Sequence, residues 1–298
     1  MIIGHEKHVG FRNRITGKMT PITWESRQLF AVGSIGSGLK ELMLQIALAA
    51  AKCDKPQAVI LVECDGDKQY LKQLLKNKSV REQRGAHHCV LWDAEFGLDD
   101  GSHNDIDPVT IVVRSNRVPC LDLDDVILAN GVLGVLMPAL NRHKDGDGVF
   151  ERTMNKLSKD IDVAITNGAS APIVLIQAQD GPNGERALLK AIQLLATHAR
   201  VAVTLGNSTR AAHVYGPAPK DASIFYGYGS FDPPLVSWLR GSPHIEWKQI
   251  PDGEGYYTER DDAVPRLCQM IYDPCNGEYD TIGYHGERTW EKPRPTTS

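Results

Sequence analysis

The stretch "QLFAVGSIGSGLKELMLQIALAAA", Gln28–Ala51, decides the fold. A short apolar run, "QLFAVG", leads into a glycine-rich turn. Leu42, Met43, Ile46 and Ala50 then recur on one face of a helix. Strand, glycine turn and helix in that order resemble the phosphate-binding loop G-x-x-x-x-G-K-[ST]. Gly33 and Gly38 stand at the required spacing, with Gly36 and Ser37 between them. The Lys and Ser/Thr positions hold Leu39 and Lys40. Leu39 offers neither charge nor hydrogen-bond donor, and Lys40 puts an ammonium where Mg²⁺ would be held. Three readings are open on this motif alone: a nucleotide site without its chemistry, a working variant that uses Lys40, or an ordinary glycine turn.

Further along, "AVILVEC" (Ala58–Cys64), "CVLWD" (Cys89–Asp93), "GVLGVLM" (Gly131–Met137), "PIVLIQA" (Pro172–Ala178) and "RVAVTLG" (Arg200–Gly206) read as strands. Their near-continuous Val/Ile/Leu content belongs to strands covered on both faces. Helical patterns lie between them, from Lys68 to about Lys76 and from Glu185 to about His198. Alternating strands and helices imply right-handed crossovers and a mostly parallel, doubly wound α/β sheet. Asp93–Asp107 and Asn141–Gly148 are polar and read as surface loops. Beyond Tyr226 the chain turns to Gly/Pro-rich segments suited to short antiparallel strands. Residues 1–272 are expected to form one domain, with a small antiparallel C-terminal extension, and 273–298 a polar tail.

A P-loop ATPase also needs acids at the end of a neighbouring strand, to hold Mg²⁺ and activate water. "PIVLIQAQD" arrives at that Walker B position with Gln177 and Ala178, and its Asp180 lies further on. Gln177 can hydrogen-bond without charge, and Ala178 supplies nothing. Glu63, Asp65 and Asp67 follow the second strand on the same carboxyl edge. They read as solvated turn residues or as a polar edge able to bind something. Both halves of the hydrolytic apparatus are thus absent together.

Bulk composition excludes several classes. The 298 residues are 42% hydrophobic and 23% charged, with a net charge of −4, so no overall basic field attracts nucleic acid or anionic lipid. The six cysteines contain no C-x-x-C pair and read as reduced thiols in the cytoplasm. His87-His88-Cys89 lacks a second ligand pair at zinc spacing, and no metal is expected there. No apolar run approaches the roughly 18 residues that cross a bilayer. Tyr226, Tyr228, Phe231 and Trp238 are read either as a docking surface or as packing for the small sheet.

The order of motifs resembles the type IV coupling proteins, RecA-like P-loop ATPases of conjugation and type IV secretion, and within them the Dot/Icm- and IncI-type branch. "LFAVGSIGSGLKELML" is similar to that branch's G-T-T-G-S-G-K-T-E loop, with Glu41 retained, and "AVILVECDGDKQYLKQLL" to its strand and D-x-K-G-D turn. "VLGVLMPAL" resembles the strand ending in P-A-L, and "ALLKAIQLLATHARVAVTLGNS" the helix and strand that end in a sensor Gln. "PPLVSWLRGSPHIEW" resembles the closing L-x-x-L-x-x-G-x-x-H-I segment. The departures fall at Leu39, Lys40, Gln177, Ala178 and Asn207. The family's membrane helices and all-helical insertion have no room here.

The resemblance implies a RecA-like fold whose nucleotide site, Gly33, Gly36, Ser37, Gly38, Leu39, Lys40 and Glu41, is vestigial. It implies a pseudo-ATPase that packs against a coupling ATPase or another cytoplasmic secretion subunit, at the inner membrane only through such partners. An oligomer is compatible with this reading. No cofactor is expected; ATP or ADP binding is doubtful and Mg²⁺ is not anticipated. The alternatives are a nucleotide- or nucleic-acid-binding regulator without turnover, and an unorthodox ATPase using Lys40 with Glu63, Asp65 and Asp67.

Overall fold

The computed structural model describes residues 2–6, 20–33, 38–53, 56–66, 68–94, 111–114, 123–140, 143–178, 185–205, 222–227, 254–258 and 266–270. In chain order these form β1 (Ile2–Glu6), β2 (Thr20–Thr23), β3 (Gln28–Val32), α1 (Leu39–Ala51), β4 (Val59–Glu63), α2 (Gln69–Lys76), α3 (Lys78–Arg84) and β5 (Cys89–Asp93). There follow β6 (Ile111–Arg114), α4 (Leu123–Leu128), β7 (Val132–Leu136), α5 (Gly146–Thr166), β8 (Ile173–Ala178) and α6 (Glu185–Ala196). The last strands are β9 (Arg200–Leu205), β10 (Ala222–Tyr226), β11 (Glu254–Thr258) and β12 (Arg266–Met270).

All the described strands join one 12-stranded sheet in the order β2-β1-β12-β11-β10-β3-β9-β8-β4-β7-β5-β6. From β10 to β6 every pairing is parallel, which confirms the expected doubly wound core. β9 lies between the glycine-turn strand β3 and β8. The parallel strands β3, β9, β8 and β4 therefore all end on one edge, where crevices of open α/β sheets take their ligands.

Alternation along each strand divides the interior into two cores. Val59, Leu61, Ile173, Leu175 and Ala202 face α1 and α2, where Leu42, Met43, Ile46 and Leu74 cover them. Ile60, Val62, Val174, Ile176 and Val203 face α5 and α6, against Phe150, Met154, Leu157, Ile192 and Leu195. Burial on both faces is the reason these strands are apolar throughout rather than alternating.

Two expectations are corrected. The antiparallel part is not only C-terminal: β1 inserts beside β12, and β2 forms the outer edge. It is continuous with the parallel strands through β10 and β11. The polar stretch Asn141–Gly148 is not wholly a loop, because α5 begins at Gly146. A side chain at 146 would collide with the Leu140 carbonyl, so the close approach that starts this helix needs glycine. Asp93–Asp107 lies almost wholly outside the described residues, as do the 273–298 tail, Tyr228, Phe231 and Trp238.

The antiparallel part, the wing of the sheet, is stitched to the parallel strands by polar groups. Tyr257 Oη lies 3.1 Å from Ser223 Oγ and 3.2 Å from the Thr23 carbonyl. Arg200 stacks 4.3 Å over the Trp24 ring and donates to the Trp24 carbonyl at 2.6 Å. The C-terminus of α1 has no basic residue in its own last turn. Arg84, at the end of α3, reaches it from outside.

Candidate functional site

Gly38 caps the N-terminus of α1 in the left-handed region, with φ 79°, and its carbonyl accepts the first helical bond from Leu42. Gly33 donates its N–H to the Leu205 carbonyl, tying the glycine turn to the end of β9. Gly36 and Ser37 lie outside the described residues, as do Asp67, Asp180 and Asn207. Leu39, at the position of the phosphate-binding lysine, is 1% exposed and belongs to the core under α1. That position is filled with hydrocarbon and packed.

Lys40, one residue on, turns to the carboxyl edge. Its Nζ lies 2.6 Å from Asp65 Oδ2 and 3.5 Å from Glu63 Oε1. Glu63 is fully buried, and its side chain is the last on the α1 face of β4, continuing the series Val59, Leu61, Glu63. Its Oε1 also accepts from the Asp65 backbone N–H at 3.1 Å. The reading of these acids as solvated turn residues is therefore overturned for Glu63 and Asp65. A buried carboxylate needs a counter-charge, and here an ammonium provides it.

Gln177 completes the group. It pairs with Glu63 in the β4–β8 register and so shares its face. Its Nε2 donates to the Lys40 carbonyl at 3.1 Å, which assigns the amide orientation, because a carbonyl there would oppose a carbonyl. The Gln177 Oε1 is buried and has no hydrogen-bond partner among the described residues. Ala178 is buried in the other core, and its N–H is taken by Thr204 Oγ1 at 3.0 Å. Glu41 accepts from the Tyr70 hydroxyl at 2.6 Å, and the Tyr70 ring lies 5.9 Å from Lys40 Nζ. Cys64, between the acids, has its thiol pushed well above its ordinary pKa by burial and then by Glu63 and Asp65, with Lys40 opposing.

The sequence singles out Lys40, Glu63, Asp65 and Gln177, and joins Lys40 with the acids only in the alternative of an unorthodox ATPase, without Gln177. Sequence reasoning missed Tyr70 and Thr204. Tyr70 carried a signal, since a tyrosine in the first turn of a helix after an acidic strand end can reach back to that edge. Thr204 carried none beyond a hydroxyl in an apolar strand.

The turn after β4 holds the acids by its backbone. Cys64 donates to the Gln177 carbonyl, and Leu140 donates to the Cys64 carbonyl. Gly66 follows at φ +75°, where an added Cβ would stand 3.1 Å from the Ala139 nitrogen. Gly66→Ala is expected to cost about 1–2 kcal/mol, through the strained φ and the crowding together. Urea unfolding would measure it, and a cost below about 0.3 kcal/mol would contradict this account of the turn.

The position that should carry the phosphate-binding cation is a core leucine. The position that should carry the metal-binding hydroxyl holds a cation already engaged with the nearby acids. Among the described residues, no group of three or more His, Cys, Asp and Glu is arranged to hold a metal ion. His87 and His88 sit in a short 3₁₀ turn, and Cys89 is buried at the start of β5. No described helix is long and apolar enough to cross a membrane.

No protein-family model matches the chain, and no curated protein does. Similarity is found among solved structures. The cytoplasmic domain of the type VII secretion ATPase EccC of Thermomonospora curvata aligns at 11% identity, over 91% of this chain and 26% of that one, with a TM-score of 0.48. EssC (ATPases 2 and 3) from Geobacillus thermodenitrificans gives 13% identity over 94% and 45%, TM-score 0.48. VirB4 of Thermoanaerobacter pseudethanolicus gives 9% over 92% and 97%, TM-score 0.48. The chain thus spans less than half the length of the two type VII proteins it matches.

Proposed function

We propose that this chain is a RecA-like domain of a conjugative or type IV secretion apparatus that has given up nucleotide hydrolysis. It works as a structural or regulatory subunit, packing against a coupling ATPase or another cytoplasmic secretion subunit. One observation carries the reading: the Lys40 ammonium is held by Asp65 and Glu63 on the edge where a metal and phosphates would be needed. Phosphoryl transfer depends on positioned positive charge around the γ-phosphate. A lysine satisfied by two carboxylates brings little net charge to that task, and Leu39 brings none. The resemblance of motif order to the coupling proteins supplies the setting, and the parallel sheet with its glycine turn is consistent with it.

The test is an ATPase assay beside titration with a fluorescent ADP analogue, with and without Mg²⁺, and co-purification with the subunits of the secretion system. Absence of turnover and recovery of a secretion subunit are the expected results. Mg²⁺-dependent turnover that disappears in Lys40→Ala would overturn the proposal. Tight binding without turnover would instead make the domain a nucleotide-binding regulator.

A further inference from the structure

We propose that Lys40 is a built-in replacement for a divalent cation, the tethered counter-ion of Glu63 and Asp65, and that it makes the stability of this edge independent of Mg²⁺. The inference rests on the reading of the site as one without turnover, and says what took the metal's place.

Three observations support it. The ammonium stands in front of two carboxylates, at 2.6 Å from Asp65 and 3.5 Å from Glu63. A hard divalent ion would occupy the same ground, because it too seeks carboxylate oxygens. Secondly, Gln177 fixes the backbone of the lysine itself, donating to the Lys40 carbonyl. The position of the ammonium is therefore set from both ends of the residue. Thirdly, the buried Gln177 Oε1 has no hydrogen-bond partner among the described residues. It is a buried neutral oxygen on the same sheet face as Glu63. Carboxylate oxygens are the donors Mg²⁺ or Mn²⁺ seek, and the cation that stands at these two is a side chain.

Tethering explains why the side chain prevails. A cation carried on the chain acts at an effective concentration set by its tether, and loses no translational freedom on pairing. Free Mg²⁺ must displace it and shed its own tightly held water. Lys40 also comes from the first turn of α1, whereas the acids come from the end of β4 and the turn after it. The pair therefore fastens the glycine-turn helix to the edge of the sheet, as a bridging metal would.

The experiment is thermal unfolding of the nucleotide-free protein in EDTA and in about 10 mM MgCl₂ or MnCl₂. Wild type should move by less than about 1 °C between these conditions, since its counter-ion is internal. Lys40→Met keeps much of the side-chain volume but leaves the acids without their ammonium. In EDTA it should melt about 5–10 °C lower, the loss expected when one partner of a largely buried ion pair is removed. Mg²⁺ or Mn²⁺ should then return about 3 °C or more. In Lys40→Met/Asp65→Asn that metal response should vanish.

A Lys40→Met protein that melts like wild type in EDTA overturns the proposal. So does one that loses stability and regains none with metal, or a wild type that responds to metal as strongly as the variant. If Lys40→Met does not fold in EDTA, Mn²⁺ must recover folded protein, and failure to do so overturns the proposal too. These measurements contain no nucleotide. Turnover by the wild type would thus defeat the proposed function alone, and a metal-indifferent Lys40→Met would defeat this inference alone.

Discussion

Leu39→Lys, which restores the lysine of the phosphate loop, is expected to lower stability by about 3–5 kcal/mol and to restore no ATP hydrolysis. Leu39 is almost fully buried and packs in the core shared by α1, β4 and β8. The substitution forfeits about 1.5–3 kcal/mol of leucine burial. It also brings an ammonium against hydrocarbon, at a cost its flexible stem relieves only in part by reaching outward. A loss of this size corresponds to a fall in Tm of about 10 °C. Adding Lys40→Thr is expected not to yield hydrolysis, since on the proposed reading Gln177 and Ala178 still stand where acids would be needed. Thermal unfolding and a coupled ATPase assay check both statements. A stable, Mg²⁺-dependent ATPase from the double variant would mean that the rest of the apparatus is intact.

Arg84→Met is expected to cost about 3 kcal/mol through a wholly different mechanism. Arg84 is only 8% exposed, and burial pulls its guanidinium below its ordinary pKa. Its Nε donates to the Ala51 carbonyl at 2.7 Å, Nη2 to Ala50 at 2.9 Å and Nη1 to Asn130 at 3.2 Å. Ala50 and Ala51 end α1, where carbonyls lack helical partners and the helix dipole favours a cation. Methionine fills the volume but leaves the Ala51 and Asn130 carbonyls without this donor, and the Ala50 carbonyl with only the Cys53 N–H at 3.3 Å. Arg84→Lys should recover only part of the loss, since a point ammonium cannot reproduce the planar fork. Urea unfolding of both variants is the measurement. A cost under about 0.5 kcal/mol for Arg84→Met would show that other groups satisfy these carbonyls.

Arg84 and Leu39 also mark the limit of what was legible. Cys89–Asp93 and Ile173–Ala178 announced themselves as strands, because a strand covered on both faces has an unbroken apolar run. The start of α5 did not. "DGDG" has poor intrinsic helix propensity, and the helix begins there because tertiary packing prevails over propensity: Gly146 fits beneath the Leu140 carbonyl, and the following apolar face lies on the sheet. Nothing local in the sequence says that the Arg84 guanidinium turns inward to another helix.

The same division runs through the candidate site. Residue chemistry alone placed a leucine where a phosphate lysine belongs, a lysine where a hydroxyl belongs, and an amide and a methyl where acids belong. Periodicity alone placed a mostly parallel sheet around them. Only the tertiary structure decided that β1 and β2 join the antiparallel wing beside β12, because strand pairing joins segments far apart in the chain. Only it decided that Lys40 is spent on Asp65 and Glu63. A local pattern records which groups are present, whereas burial and distance determine which charges must find each other.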